Sequence, residues 1–213
     1  MGLKIDFHVH TCYSRDSSIT LKQVVSFAKK RGLDGVSITD HNTIEGALKL
    51  KTRDILVVPG IEISTLQGHL LGINVNTLIP AKHGMEETIQ MIHKAGGIAV
   101  APHPTAFYKS PPSRKVKSYD AIETINASSM PFSVLTYFSK RFAEDLGLPQ
   151  TGGSDSHYAP EIGSAYTVVD AGNDIDEVVN AVKRGAAFPT GNRVSWKIRL
   201  ERARIGLKRR RKK

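Results

Sequence analysis

Short apolar runs that end in histidine or aspartate recur along this chain, and they constrain its fold more than any other feature. Residues 3–7 lead into His8, and 34–39 lead into Asp40 and His41. Residues 98–101 lead towards His103, and 150–152 towards Asp155 and His157. Helical patterns separate these runs. Ser17, Ser18 and Thr20 offer N-caps for a helix through Lys30, with Leu21, Val24, Val25 and Ala28 on one face and Gly32 at its end. Further helices are expected from Thr43, over 86–95, over 131–146 with Val134, Leu135, Phe138 and Phe142 at helical spacing, and over 174–184. Further strands are expected over 55–58, 61–65, 69–75, 121–125 and 165–169, with a turn at Gln67-Gly68. Such alternation implies an α/β fold with a mainly parallel sheet, because parallel crossovers need connectors of helical length. About seven strands favour a distorted (β/α)7 TIM-like barrel. The expected organisation is one domain over 1–193 followed by a basic C-terminal tail over 194–213.

In folds of this class the site forms at the C-terminal ends of the strands, which is where the polar residues fall. His8 and His10 are two apart in a strand and face the same way, as do Asp155 and His157. Glu62 lies in the apolar run GIEIS, where burying a carboxylate without a neighbouring cation is costly. Across a tight turn, His69 is expected to converge with it. Pro102 and Pro104 stiffen the backbone around His103. Any one of these has a mundane reading as a surface or core residue. Together they specify a site for divalent metal, because neutral imidazole and carboxylate are the donors for zinc, manganese or iron.

The runs DFHVHTCYSRDSS, ITDHN, GIEIS with GHLLG, APHP and GGSDSH resemble the PHP (polymerase and histidinol phosphatase) family over residues 6–157. The resemblance implies a metal-dependent phosphoesterase binding up to three ions of Mn, Zn or Fe. Carried over, His8, His10, Glu62 and Asp155 hold one ion, Glu62 with His69 and His103 a second, and Asp16, His41 and His157 a third. Glu62, His8, Asp155 and His157 are then the catalytic core, a hydroxide between the first two metals being the expected nucleophile. Asp6 and Asp40 are expected to orient the imidazoles. Arg15 and Asn126 are candidate substrate contacts, and Glu123 is a further residue with a path to the pocket. His83 and His93 are expected at the surface, and the aromatic residues over 131–142 in the core.

Ten of the thirty Lys and Arg residues fall between Lys197 and Lys213 against one acid, Glu201. The preceding residues are therefore nearly neutral, at +1, and nine of the ten net positive charges belong to the tail. That tail is either a solvated segment or a nucleic-acid contact. With it, the substrate reading leans towards nucleotides or short oligonucleotides; histidinol phosphate is an alternative, as is a PHP-like protein that binds RNA through the tail. An amidohydrolase also places HxH on a first barrel strand, but Asp40-His41 and the paired Asp155 and His157 are extra to its pattern. No apolar run is long enough to span a membrane. The single cysteine, Cys12, rules out an internal disulfide, and with no secretory leader at the start a cytoplasmic location is expected.

Overall fold

The structure, a computed structural model, describes residues 2–210. In chain order the elements are β1 (Leu3–Val9), α1 (Leu21–Lys30), β2 (Gly35–Ile38), α2 (Glu45–Lys49), β3 (Leu56–Thr65), β4 (Gly68–Ile73), α3 (Met85–Lys94) and β5 (Ile98–Ala101). There follow β6 (Ala121–Asn126), α4 (Phe132–Leu146), β7 (Gln150–Gly153), β8 (Ala165–Val169), α5 (Ile175–Lys183), β9 (Ala187–Gly191) and α6 (Trp196–Arg210). Strands β1 to β7 lie side by side in sequence order, and β8 and β9 extend the sheet beyond β1. The ring nearly closes. At its upper end His10 N–H donates to Ser156 O (3.1 Å), and lower down Gly152 N–H donates to Thr167 Oγ1 (2.8 Å) on β8. This is the TIM-like barrel that the strand pattern implied.

Strand β4 is the exception that matters. It runs antiparallel to both β3 and β5. Reversal brings its first residues, not its last, to the end of the barrel where the other strands deliver their histidines and carboxylates, so His69 arrives there opposite Ser64. Residues 55–58 and 61–65, expected as two strands, are one. Pro59 has no N–H to give, but it sits where β3 leaves β2 and takes up β4, so no ladder bond is lost. Close approach of β7 to β1 needs a glycine, since a Cβ on Gly153 would lie 2.5 Å from that of His8.

Helix α1 starts as its sequence foretold, with a capping box between Thr20 and Gln23. Helix α4 departs from expectation. Its buried face is Leu135, Ser139, Phe142 and Ala143, whereas Val134, Tyr137 and Phe138 are about half exposed or more. Helical spacing states which residues share a face, and this helix is apolar on more than one. The segment read as a tail also acquires structure. Val194 is buried and its N–H donates to Ala127 O (2.9 Å), and helix α6 follows. Residues 211–213 of the expected tail lie outside the described residues. Among the described residues no helix is long and apolar enough to cross a membrane.

Candidate metal centre

His8, next to last in β1, enters the barrel with no solvent exposure, and its two ring nitrogens have different company. Nδ1 lies 2.9 Å from Glu123 Oε1 on β6. Nε2 lies 3.2 Å from Glu62 Oε2, 3.6 Å from Asp155 Oδ1 and 3.1 Å from His10 Nε2. His10 Nε2 in turn is 3.1 Å from Glu62 Oε2 and 3.4 Å from Asp155 Oδ1. Since Nδ1 donates to Glu123, the Nε2 lone pair points at oxygens that also carry lone pairs. Such an arrangement is tolerable only with a cation, proton or metal, between them.

Glu62 is the hub. One oxygen, Oε2, faces His8, His10 and His41 Nδ1 (3.3 Å); the other, Oε1, faces His69 Nδ1 (2.9 Å) and His103 Nε2 (3.2 Å). A third cluster lies to one side, where Asp16 Oδ2 is 3.0 Å from His157 Nε2 and 3.5 Å from His41 Nε2. His157 Nδ1 lies 3.1 Å from the Asp155 carbonyl, to which it donates, and this leaves Nε2 free to face Asp16. Four groups of donor atoms, each mutually within 4.8 Å, can be drawn from His8, His10, His41, Glu62, His69, His103, Asp155 and His157. The donors are nitrogen and oxygen throughout, and His103 Nδ1 is buried without a partner. The set therefore fits borderline divalent ions such as zinc, manganese or iron.

Comparison with known proteins agrees with this geometry. The family model described as PHP domain matches residues 6–139, and a PHP-associated model matches 137–187. This chain belongs to the PHP family. An uncharacterized protein of Methanocaldococcus jannaschii is 40% identical over 116 residues, a match covering 48% of this chain and 68% of that one. The phosphoribosyl 1,2-cyclic phosphate 1,2-diphosphodiesterase of Eggerthella lenta is 37% identical over 86 residues, covering 36% of this chain and 32% of that enzyme. Among solved structures, a two-domain protein of Bacteroides vulgatus containing a predicted PHP-like metal-dependent phosphoesterase superposes with a TM-score of 0.76 at 19% identity. That superposition covers 90% of this chain and 65% of that protein.

The electrostatics of the PHP site follow from crowding. Burial pushes Glu62 up, but His8 and hydrogen bonds from His10, His103 and His69 outweigh it and hold the carboxyl well below its ordinary range. Asp155 is likewise driven up by burial and held well down by Lys109 and His8. Burial lowers His8, yet Glu123, Asp155 and Glu62 lift it well above its usual value. Burial likewise lowers His69, and Glu62 lifts it above its usual value.

Orientation of the ligands comes from residues only partly foreseen. Glu123 does what Asp6 and Asp40 were expected to do: it accepts from His8 Nδ1, from the His103 N–H (2.8 Å) and from Asn126 Nδ2 (2.9 Å). His103 and Asp155 both have left-handed backbones, φ 32° and 50°, a conformation that persists only when its surroundings hold it. Asp6 instead braces backbone, taking the N–H of Ser154 (2.8 Å) and Gly163 (2.9 Å); burial still raises its carboxyl to about 6. Asp40 acts at one remove. The Ser14 hydroxyl donates to it (3.0 Å), leaving the oxygen of Ser14 to accept from His10 Nδ1 and the His41 N–H. Glu123→Gln would turn an amide NH2 towards one of its three donors, so metal affinity is expected to fall about 10- to 100-fold. Titration of chelated protein with manganese measures it, and unchanged affinity would remove Glu123 from this role.

Asn126, expected as a substrate contact, directs its amide N–H groups to Glu123 and Asp155 and accepts from Ser129 Oγ, so it has no free donor. Arg15 is exposed beside Asp16. His83 and His93 lie away from the site, paired with Glu87 and Asp120. Sequence reasoning missed Lys109 altogether. Its ammonium reaches Asp155 Oδ2 and lies 3.1 Å from Ser128 Oγ. Nothing in the surrounding AFYKSPPS marks it, since a loop lysine normally faces water.

It also missed Arg202. Glu161 is buried, accepts the N–H of His157 (2.8 Å) and Tyr158 (3.0 Å), and meets Arg202 Nη1 at 3.3 Å. The arginine is partly exposed, which discounts its worth to about 1 kcal/mol. Arg202→Gln is therefore expected to lower the melting temperature by about 2–4 °C and to weaken metal binding by the Asp16–His41–His157 group. Calorimetric titration that finds stability and metal stoichiometry both unchanged would rule this out.

Proposed function

We propose that the chain is a metal-dependent phosphoesterase hydrolysing phosphate mono- or diesters of nucleotides or short oligonucleotides. The observation that carries the reading is Glu62, whose two oxygens face two separate groups of imidazoles at 2.9–3.3 Å. A carboxylate so placed could serve both groups at once, and divalent ions held there would suit displacement at phosphorus. His8, His10, Glu62 and Asp155 would hold one ion, Glu62, His69 and His103 a second, and Asp16, His41 and His157 a third. Bound there, divalent ions supply the Lewis acidity that brings the pKa of water towards about 7 and offsets phosphoryl charge.

The rest of the chemistry belongs to the protein. Glu123, Ser14 and the Asp155 carbonyl set which nitrogen of His8, His10 and His157 faces the pocket. Lys109 has three N–H donors; Asp155 and Ser128 take two, leaving one for a phosphoryl oxygen. Arg15, exposed beside the third group, is a second cation for the ester. The Asp16–His41–His157 group favours phosphate esters over cyclic amides, because the amidohydrolase pattern has no place for it. Likeness to the Eggerthella lenta diesterase supports a ribose phosphate ester as the substrate class.

Elemental analysis of purified protein, followed by a panel of nucleoside monophosphates, cyclic nucleotides, short oligonucleotides, histidinol phosphate and cyclic amides with added manganese or zinc, tests the proposal. Bound metal with turnover of nucleotide esters is expected. Metal-loaded protein that hydrolyses cyclic amides and no phosphate ester would overturn it.

A further inference from the structure

The basic segment of this chain begins in helix α6, whose first turns the fold fastens beside the metal centre. Val194 and helix α6 are fastened to the loops that leave β6 and β7. Arg199 donates to the carbonyls of Ala127 and Ser128 (3.1 Å each), and Arg202 meets Glu161. Both anchors touch the site. Ser128 Oγ accepts from Lys109, the partner of Asp155, and Glu161 accepts the N–H of His157. With two arginines committed to anchoring, other residues of the helix face water. Trp196 is 55% exposed and Leu200 57%, and Lys197 and Arg204 are exposed beside them. Trp196 is the only tryptophan in the chain. Leaving that much of an indole wet forgoes burial that a core position would supply.

We infer that α6 is a landing platform for single-stranded nucleic acid, with Trp196 stacking against a base and the flanking Lys and Arg side chains following the phosphates towards the metal centre. The inference deepens the nucleotide-ester reading and rests on it. Proteins that bind single strands combine a basic track with exposed aromatic faces, because every base has a π-face and every linkage a charge. Complementarity favours this occupant: the body of the chain is nearly neutral, and the excess charge starts at Lys197. An anionic membrane would want a continuous apolar face opposite the charges. Among the described residues the exposed apolar side chains Trp196, Leu200 and Ala203 make only a short patch, flanked by Lys197 and Arg204, while Ile198 and Ile205 are partly covered.

Because the chain has one tryptophan, its emission reports this place alone. The full chain, chelated with EDTA so that no turnover intervenes, is titrated with an oligothymidylate of about 12 nucleotides, within the span such sites cover. Saturable quenching is expected, with affinity falling as salt rises by about 0.7 in logarithmic slope per phosphate neutralised. Trp196→Ala, followed by fluorescence anisotropy of a labelled strand, should weaken binding about 5- to 150-fold, the worth of one stacked base. The same variant should hydrolyse a small phosphate ester at the parental rate. Lys197→Glu with Arg204→Glu should weaken binding while leaving the indole and the melting temperature in place. Unchanged emission at saturating oligonucleotide, equal affinity in Trp196→Ala, or tighter binding to anionic phosphatidylserine vesicles than to the strand would each overturn the platform. Oligonucleotide binding in a chain that hydrolyses no phosphate ester would sustain the platform and overturn the enzymatic proposal instead.

Discussion

Replacing Glu62 by glutamine is expected to lower turnover of a phosphate ester about a thousandfold while the chain still folds. Glutamine keeps the shape of the side chain but turns one oxygen into an NH2 that faces imidazole nitrogens. It also removes the carboxylate charge that faces both imidazole groups. Losing a shared ligand removes several kcal/mol of charge stabilisation, and about 4 kcal/mol corresponds to three powers of ten in rate. The fold should survive, because without the carboxylate the neighbouring imidazoles can shed the protons it induced. The measurements are kcat on the most active ester and metal content per chain. Wild-type turnover with full metal in Glu62→Gln would show that the carboxylate is not the bridge.

The second large effect is on stability. Chelated protein is expected to melt well below protein supplied with manganese, zinc or ferrous iron. An ion present at about a hundred times its dissociation constant contributes about 2.7 kcal/mol, or about 5–10 °C for a chain of this size. The physical source is a cation placed among Glu62, Asp155 and the imidazoles, whose oxygens and ring nitrogens face one another at 2.9–3.6 Å. Magnesium and calcium should do less, since both prefer all-oxygen ligands. Scanning calorimetry with and without EDTA checks it; identical melting curves in every metal would sink the metal-centre reading, whatever the enzyme assays return.

That His8, His10, Glu62, His103 and Asp155 converge was legible because each position depends on local geometry. Alternation in β1 puts His8 and His10 on one side, and strand ends in an α/β fold face one mouth, so donors at those ends converge. The supports were not legible. Glu123 is 115 residues from His8, and Arg202 is 41 from Glu161, and no local period links such pairs. The aromatic residues of α4 were placed in the core by the same reasoning that brought His8 and His10 together: spacing identifies a shared face. Which face is buried depends on what packs against it, and in α4 that is the side of Leu135 and Phe142.

The sequence by itself determined the alternating fold, the end of the barrel that carries function and the kinds of atom gathered there. All three follow from backbone periodicity and side-chain chemistry, which need no knowledge of distant partners. Only the tertiary structure decided which strands are reversed, which carboxylate orients His8, and that the basic segment begins as a helix anchored beside the metal centre. Those depend on which surfaces meet once the chain has closed on itself, and contacts between remote segments leave no periodic trace in the sequence.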